Sequence, residues 1–253
     1  MGTLIQDAKY ALRMLRKSPS FTIITVLTIA LGVGANTAIF SVVHVVLLKP
    51  LPFPQPDHLV ELWETEAAPG NFPLTDQDFL DWRAQNRTFD DMAVYTWPEP
   101  SNISGAGVPE QVRLVETQAN FFSVLGIAPQ IGRSFVAGED AKGRNHVAIV
   151  TNALWKSHFG GRSDALNKTI ELNGESYTIV GVMPAWYTAP GTADVWTPMD
   201  LSPTAMRGRD SHYLRALGRV KTGMMIEQAR ADLGAISARR AMRVDPMVVL
   251  RYE

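Results

Sequence analysis

Histidine and acidic residues, which can bind metals, are present in this chain, but their spacing forms no site. The five histidines are His44, His58, His146, His158 and His212. They show no paired helical spacing and no H-E-x-x-H sequence occurs, so we expect no metal site. Cysteine is absent, which excludes disulfides, thiolate metal sites and cysteine nucleophiles.

Acidic residues and glycine motifs give no catalytic arrangement either. Asp76, Asp78 and Asp81 could form a calcium or acid site, but their place at the start of a predicted helix offers a simpler explanation, in which they complement the helix dipole. No G-x-S-x-G or Walker A sequence occurs, and residues 32–34 lack the third glycine of a dinucleotide loop. We therefore expect no enzymatic activity, no cofactor and no bound metal.

The most informative element is an uncharged run from Phe21 to Leu48. A helix needs about 20 apolar residues to cross a bilayer. A cleavable signal peptide is the alternative, but its apolar core has roughly 7–15 residues and ends at a small-x-small site. The run here is longer and no clear A-x-A sequence closes it. The sequence therefore predicts a retained transmembrane helix over residues 21–48.

Charge around this run predicts its orientation. The basic flank before it consists of Lys9, Arg13, Arg16 and Lys17. Because positive residues accumulate on the cytoplasmic side, we expect the N-terminus in the cytoplasm, the helix in the inner membrane and the remaining chain in the periplasm. Apolar residues at helical spacing predict a cytoplasmic amphipathic helix over residues 1–20. The rest of the sequence has no stripe of basic residues that could contact the phosphate backbone of a nucleic acid, so we expect no nucleic-acid partner.

The predicted transmembrane helix carries a face of small residues at every fourth position. These residues are Ala30, Gly34 and Ala38. Small side chains let helix backbones approach closely in lipid, which predicts packing against other helices. The alternative is that small residues are simply tolerated in a membrane helix. Thr37, Ser41 and His44 form a second, polar stripe.

The remaining sequence predicts an α+β domain. Strand patterns cover residues 58–64, 92–97, 111–118, 146–151, 168–183 (a hairpin that turns at Asn173-Gly174), 195–198, 213–220 and 247–251. Helix patterns cover residues 75–86, 120–125, 152–159 and 225–242, with Thr75 and Asn152 as N-caps. We expect one lobe built from residues 50–118 and 205–253, with a β-rich lobe of residues 119–204 inserted.

Several sequence blocks, in order, carry a family resemblance. They are Thr25–Val43, Leu47–Val60, Phe121–Phe135, Val147–Gly161, Leu172–Pro184 and Glu227–Ile236. Together they resemble an FtsX-type ABC transporter permease, and most of all the acidobacterial-type duplicated permeases with a MacB-like periplasmic core domain. The resemblance implies a first transmembrane helix followed by a periplasmic core domain over residues 50–253, with a porter-like lobe and an inserted lobe.

The family resemblance also implies partners. Relatives work with a cytoplasmic ABC ATPase subunit, whose dimer movements reach the periplasmic domains, and with further permease helices or a second permease copy in the membrane. Members continue into more transmembrane helices and a coupling helix, so we expect a permease component or truncated permease. Members usually cap the last helix with Ser or Thr, where this chain has Met225. The alternative function is a membrane-anchored periplasmic adaptor that binds a partner without transport.

Overall fold

The computed structural model describes residues 6, 10, 13–43, 53–64, 72–105, 109–187, 192–202, 205–207 and 211–241. It divides the chain into two units, Met1–Pro52 and Phe53–Glu253. The predicted fold class is confirmed: an N-terminal apolar helix precedes a mixed α/β domain.

The first unit contains helix α1, Pro19–Val43. Residues 13–17 are also helical, and Ser18 separates the two stretches, as the Ser18-Pro19 sequence predicts. Proline suits the first turn of a helix because its missing N–H has no partner to lose there. Residues Pro19–Ser41 are long and apolar enough to cross a membrane. The hydroxyl of Thr37 donates to the Val33 carbonyl at 2.8 Å, so this polar group is satisfied within α1.

The second unit begins with a three-stranded antiparallel layer. Its strands are β1 (Leu59–Leu62), β2 (Phe89–Tyr95) and β10 (Arg215–Val220), with β10 in the centre. Helices α2 (Asp76–Gln85) and α5 (Ile226–Ala241) share an apolar cluster with one face of these strands. The short helix α3 (Phe121–Leu125) packs in a second, aromatic-rich cluster with the other face. Alternating side chains thus bury both faces of the layer.

The remaining strands close into a ring. They are β3 (Glu99–Ser104), β4 (Glu110–Thr117), β6 (Val147–Val150), β7 (Thr169–Leu172), β8 (Glu175–Val182) and β9 (Val195–Pro198). Strand β9 pairs with β6 and also with β4, which closes the circuit β4-β3-β7-β8-β6-β9. All six strands contribute to a third apolar cluster, together with helix α4 (Asn152–Phe159). Strand β5 (Ile131–Gly132) pairs with β8 outside the circuit.

The layer and the ring pair in the sheet at one position, and they also share the aromatic-rich cluster. Tyr95 of β2 lies opposite Thr117 of β4, so all ten strands belong to one sheet. The predicted division into lobes stays a prediction. Ile103 and Val112, which the sequence analysis placed in the first lobe, pack in the apolar cluster of the ring.

Most predicted elements lie within a few residues of their positions in the structure. The hairpin turn at Asn173-Gly174 has positive φ at both residues, 51° and 87°, as a two-residue I′ turn requires. Thr75 caps α2 by accepting a hydrogen bond from the Asp78 N–H at 3.1 Å. Strands β3 and β5 were not predicted.

Two capping details differ from the prediction. Thr151, not Asn152, caps α4: its backbone is extended and its hydroxyl accepts from the Leu154 N–H at 3.1 Å. At α5 the Met225 N–H donates to the Gln228 side-chain oxygen at 2.9 Å. This is the second half of a capping box, and it partly replaces the missing Ser or Thr.

Some predictions fall outside the described residues. These are half of the residues of the amphipathic helix over residues 1–20, including Lys9, the end of the predicted transmembrane helix at residues 44–48, and the strand at residues 247–251.

Candidate functional site

The chain enters the second unit at Phe53, ten residues after the end of α1. The Phe53 ring packs edge-on against Trp186 and Tyr187, with centroid distances of 6.4 Å and 6.5 Å. It belongs to the rim of the aromatic-rich cluster that contains Phe122 and Trp196. Edge-to-face contacts of this kind add about 0.5–1.5 kcal/mol to the burial of each ring. The first side chain of this unit is therefore anchored.

An arginine from the distant strand β10 fixes the residues that follow. Arg219 Nη1 donates to the Pro54 carbonyl at 2.9 Å and lies 3.4 Å from the Gln55 carbonyl. Its Nε donates to the Val124 carbonyl at the end of α3, also at 2.9 Å. One planar guanidinium thus bridges the entering chain and a helix C-terminus, where a positive charge also complements the helix dipole.

A third contact joins the entering chain to the end of β10. The residues Pro56–His58 form a short 3-10 turn, and His58 Nδ1 lies 3.0 Å from the Val220 carbonyl. The next residue, Leu59, pairs with Arg219 in the sheet. We call the group Phe53, Pro54, Gln55, His58 and Arg219 the entry clamp.

Gly126 allows the entry clamp to close. It ends α3 with a φ of 71°, a conformation that side chains rarely adopt. A Cβ atom at this position would lie 3.1 Å from Pro54 Cγ and 3.4 Å from Arg219 Nη2. Both backbone conformation and space therefore require glycine where the entering chain crosses the end of α3.

The entry clamp connects the entering chain to the central strand of the layer. It ties the segment after the apolar helix to the central strand β10, and β10 leads directly into α5. That helix is itself held: the Trp82 indole N–H donates to Ser237 at 3.0 Å, and Asp232 accepts from the Arg87 N–H at 2.8 Å. The entering chain is therefore bonded to the central strand that leads into α5.

An arginine–aromatic cluster lies at the opposite end of β10. Arg215 bonds to the Glu61 carboxylate through Nε at 2.8 Å, and its guanidinium carbon lies over the Trp97 ring at 4.4 Å. The hydroxyl of Tyr95 donates to Glu61 at 3.0 Å, and burial, together with the Glu61 charge, raises the pKa of Tyr95. Because Arg215 and Glu61 neutralise each other, we assign the cluster a structural role. Its Trp97 ring remains exposed.

Asp76, at the start of α2, has a structural role beyond the predicted one of complementing the helix dipole. Asp76 is buried, and its carboxylate accepts hydrogen bonds from the Gln77 N–H at 2.7 Å, the Arg207 N–H at 2.6 Å and the Tyr213 hydroxyl at 3.3 Å. The residue ties α2 to two distant segments. Within the described residues no group of His, Cys, Asp and Glu could hold a metal ion.

A cleft of about 220 Å³ opens between β4, α4 and the segment before β9. Arg113 and Asp194 line it and form an ion pair at 3.8 Å. Tyr187 also lines it, and burial raises the pKa of this tyrosine. The cleft therefore holds a buried phenol beside an ion pair.

The predicted helix-packing face lies on α1. Ala30, Gly34 and Ala38 are all exposed in the described structure, and a Cβ atom on Gly34 would meet nothing within 4 Å. Of the basic flank, Arg13, Arg16 and Lys17 lie in or beside the helical residues 13–17 and are exposed. Both features stay predictions, because a second helix or a membrane is needed to test them.

Most of the chain matches one protein family. Residues 22–236 match the family described as the MacB-like periplasmic core domain. The chain belongs to this family. The match includes the apolar helix and almost all of the described α/β domain. No individually curated protein sequence matches the chain.

Solved structures show the same fold at low sequence identity. A domain of a protein described as a permease, from Porphyromonas gingivalis, is 14% identical with a TM-score of 0.56, and 75% of this chain covers 84% of it. The periplasmic region of MacB from Actinobacillus actinomycetemcomitans is 14% identical with a TM-score of 0.53, and the alignment covers 69% of this chain and 79% of that structure. The extracellular domain of the noncanonic ABC-type transporter YknZ from Gram-positive bacteria is 12% identical with a TM-score of 0.54, and the alignment covers 72% of this chain and 95% of that structure.

This MacB-like chain is therefore a membrane protein with a periplasmic domain.

Proposed function

We propose that this MacB-like chain is the membrane-anchored permease component of an FtsX-type ABC system, of the acidobacterial-type duplicated subfamily, and that its periplasmic domain relays conformational change. The entry clamp is the observation that carries the proposal. A passive anchor needs only a flexible linker, whereas here the first residues of the domain are bonded to its central strand.

The cellular arrangement follows the basic flank and the family. The N-terminus lies in the cytoplasm, α1 crosses the inner membrane and the α/β domain lies in the periplasm. A cytoplasmic ABC ATPase supplies the energy, and other permease helices or a second copy of the chain pack against Ala30, Gly34 and Ala38. The proposal assigns the chain itself no catalytic step and no cofactor.

The absence of cysteine allows a direct test of the relay. A single cysteine at exposed Arg162 carries a spin label, and distances between the labels of two copies are measured in native membranes before and after addition of ATP and vanadate. A permease component co-purifies with an ABC ATPase and changes the distance distribution. An adaptor without transport activity does neither, and that result would contradict the proposal.

The entry clamp separates coupling from simple assembly in the same experiment. In Arg219→Met the ATPase should still co-purify, because the membrane segment is unchanged. The nucleotide-dependent change in distance should shrink, because the Pro54 and Val124 carbonyls lose their shared donor. A distance change equal to that of the parent chain would show that the relay does not pass through the entry clamp.

A further inference from the structure

Around Phe53 the second unit has a surface built from uncharged segments. It is formed by the segments 53–56, 126–131 and 183–187, none of which contains Asp, Glu, Lys or Arg. Among the described residues Arg219 is a charged side chain that touches them, and it donates to the Pro54 and Val124 carbonyls. We call this surface the neutral face. Its segments are contiguous: Gly126 lies against Pro54, the Gln130 N–H donates to the Val182 carbonyl at 2.8 Å, and Phe53 touches Trp186.

The neutral face presents one large apolar side chain to solvent. Trp186 is 49% exposed, although its ring is held edge-on by Phe53 and by Tyr187, with centroids 6.4 Å and 6.0 Å away. The indole is therefore fixed with much of its surface uncovered. Trp97 is equally exposed, at 48%, but it lies under the Arg215 guanidinium, in a charged setting.

Chain connectivity indicates what covers the neutral face. Nine residues lie between Val43, the last residue of α1, and Phe53, so ten Cα–Cα steps join the two. At about 3.5 Å per residue this segment spans at most about 35 Å, so the neutral face surrounds the point at which the tether holds the domain. Tryptophan prefers the bilayer interface, where its ring meets apolar surface and its N–H remains in water.

We propose that the neutral face rests on the lipid headgroup layer, with Trp186 inserted as its anchor. The proposal rests on α1 crossing the membrane. A lipid surface fits better than a protein partner here because at most about 35 Å of chain joins the face to α1, and the Arg219 guanidinium that touches the face is already bonded to the Pro54 and Val124 carbonyls. The flanking charges among the described residues are Asp57 and Arg133, of which Arg133 is already paired with Glu139. Contact should therefore be insensitive to the fraction of anionic lipid.

The full chain in lipid nanodiscs provides the test, because the sequence contains no cysteine. Single variants Trp186→Cys and Ala185→Cys report on the neutral face, and Trp97→Cys is the matched control. Each carries the same fluorophore, with lipids that bear a nitroxide on the headgroup. We expect about a twofold lower fluorescence at positions 185 and 186 than at 97, with or without phosphatidylglycerol. Ala185→Cys keeps Trp186 in place, so the reading does not depend on loss of the indole.

A fluorophore at Leu31 in α1, with nitroxide on the lipid acyl chain, tests the membrane anchor separately from the lipid contact of the neutral face. Quenching at 31 without preferential quenching at 185 and 186 overturns the lipid contact but leaves the membrane anchor and the proposed function intact. Equal quenching at 97 and 186 also overturns it, because the domain then has no preferred face. Absence of quenching at 31 overturns the anchor, and with it both proposals.

Discussion

Arg219 and Pro54 are 165 residues apart in the chain, yet Arg219 Nη1 donates to the Pro54 carbonyl at 2.9 Å. The bond joins the first residues of the α/β domain to the strand that leads into its last described helix. Because the same guanidinium also holds the end of α3, the point at which the chain enters the domain is fixed from two sides. The stability of this junction is therefore a testable property.

Replacing Arg219 with Met should destabilise the domain. The substitution keeps much of the apolar stem and removes the donors for the Pro54 and Val124 carbonyls, which should cost about 1–3 kcal/mol in the free energy of unfolding. Urea denaturation of the full chain measures it. Arg162→Met is the control, since Arg162 is an exposed arginine whose side chain pairs only with its near neighbour Asp164. Equal stability of the two variants would show that the entry clamp contributes nothing.

Gly126→Ala should cost more than Gly160→Ala. Both glycines end helices in the left-handed conformation, with φ of 71° and 63°, so alanine meets the same backbone strain of about 1 kcal/mol at each. Only at Gly126 would the new Cβ press on Pro54, whereas at Gly160 it meets nothing within 4 Å. The difference between the two unfolding free energies isolates the contact with the entering chain, and no difference would contradict it.

The sequence predicted those elements whose structure depends on a few neighbouring residues, such as tight turns and helix caps. The Asn173-Gly174 hairpin follows from two adjacent residues that tolerate positive φ, and Thr75 marks the start of α2 by its hydroxyl. Strand β3 was missed because Glu99–Ser104 contains Pro100 and several polar residues with low strand propensity. It is a strand because β4 and β7 pair with it on both sides.

The candidate site was largely beyond sequence reasoning. An arginine in a strand pattern gives no sign that it will reach a carbonyl far away in the chain, and Gly126 looks like any helix-ending glycine. The closure of six strands into a ring likewise depends on the pairing of β9 with β4, which no short window contains. What the sequence did provide is the apolar helix, most of the strands and the family.

Alkaline pH should destabilise the domain through buried tyrosines. Burial, together with the Asp76 carboxylate, raises the pKa of Tyr213 to about 12. Since its pKa is near 10 in an unfolded chain, the folded state retains a proton that the unfolded state loses. Its contribution to stability is present below about pH 10 and is lost as the pH rises towards about 12.

Denaturation curves at pH 9, 10.5 and 11.5 measure this loss. Tyr213→Phe should be less stable than the parent chain at pH 9, because the bond to Asp76 is missing, and should lose less stability above pH 10. Tyr95, Tyr177 and Tyr187 also have raised pKa values, so some alkaline loss remains in the variant. An identical slope in parent and variant would contradict the assignment to Tyr213.

The basic flank should set the orientation of α1. We expect a periplasm-specific reporter fused near residue 100 to be active in the parent chain, and a cytoplasm-specific reporter there to be silent. Changing Lys9, Arg13, Arg16 and Lys17 to Gln should lower the periplasmic signal. Substituting the exposed residues Arg162 and Lys168 of the second unit with Gln removes positive charge from a part of the chain well downstream of α1 and should leave the periplasmic signal unchanged. A cytoplasmic signal in the parent chain would reverse the proposed topology.

The small-residue face should be needed for assembly but not for insertion. A leucine at Gly34 would hold a partner helix away from the backbone, while the segment stays apolar and still enters the membrane. Gly32→Leu is the matched control: two residues correspond to about 200° around the helix, so Gly32 lies on the other side of α1 from Gly34. Both glycines have open space in the structure, so neither variant should disturb α1 itself. Crosslinking in native membranes should then show a loss of higher-order species for Gly34→Leu alone, with equal amounts of both variants in the membrane fraction. Equal losses would mean that any bulky residue disturbs the helix, and no loss in either would leave α1 as a plain anchor.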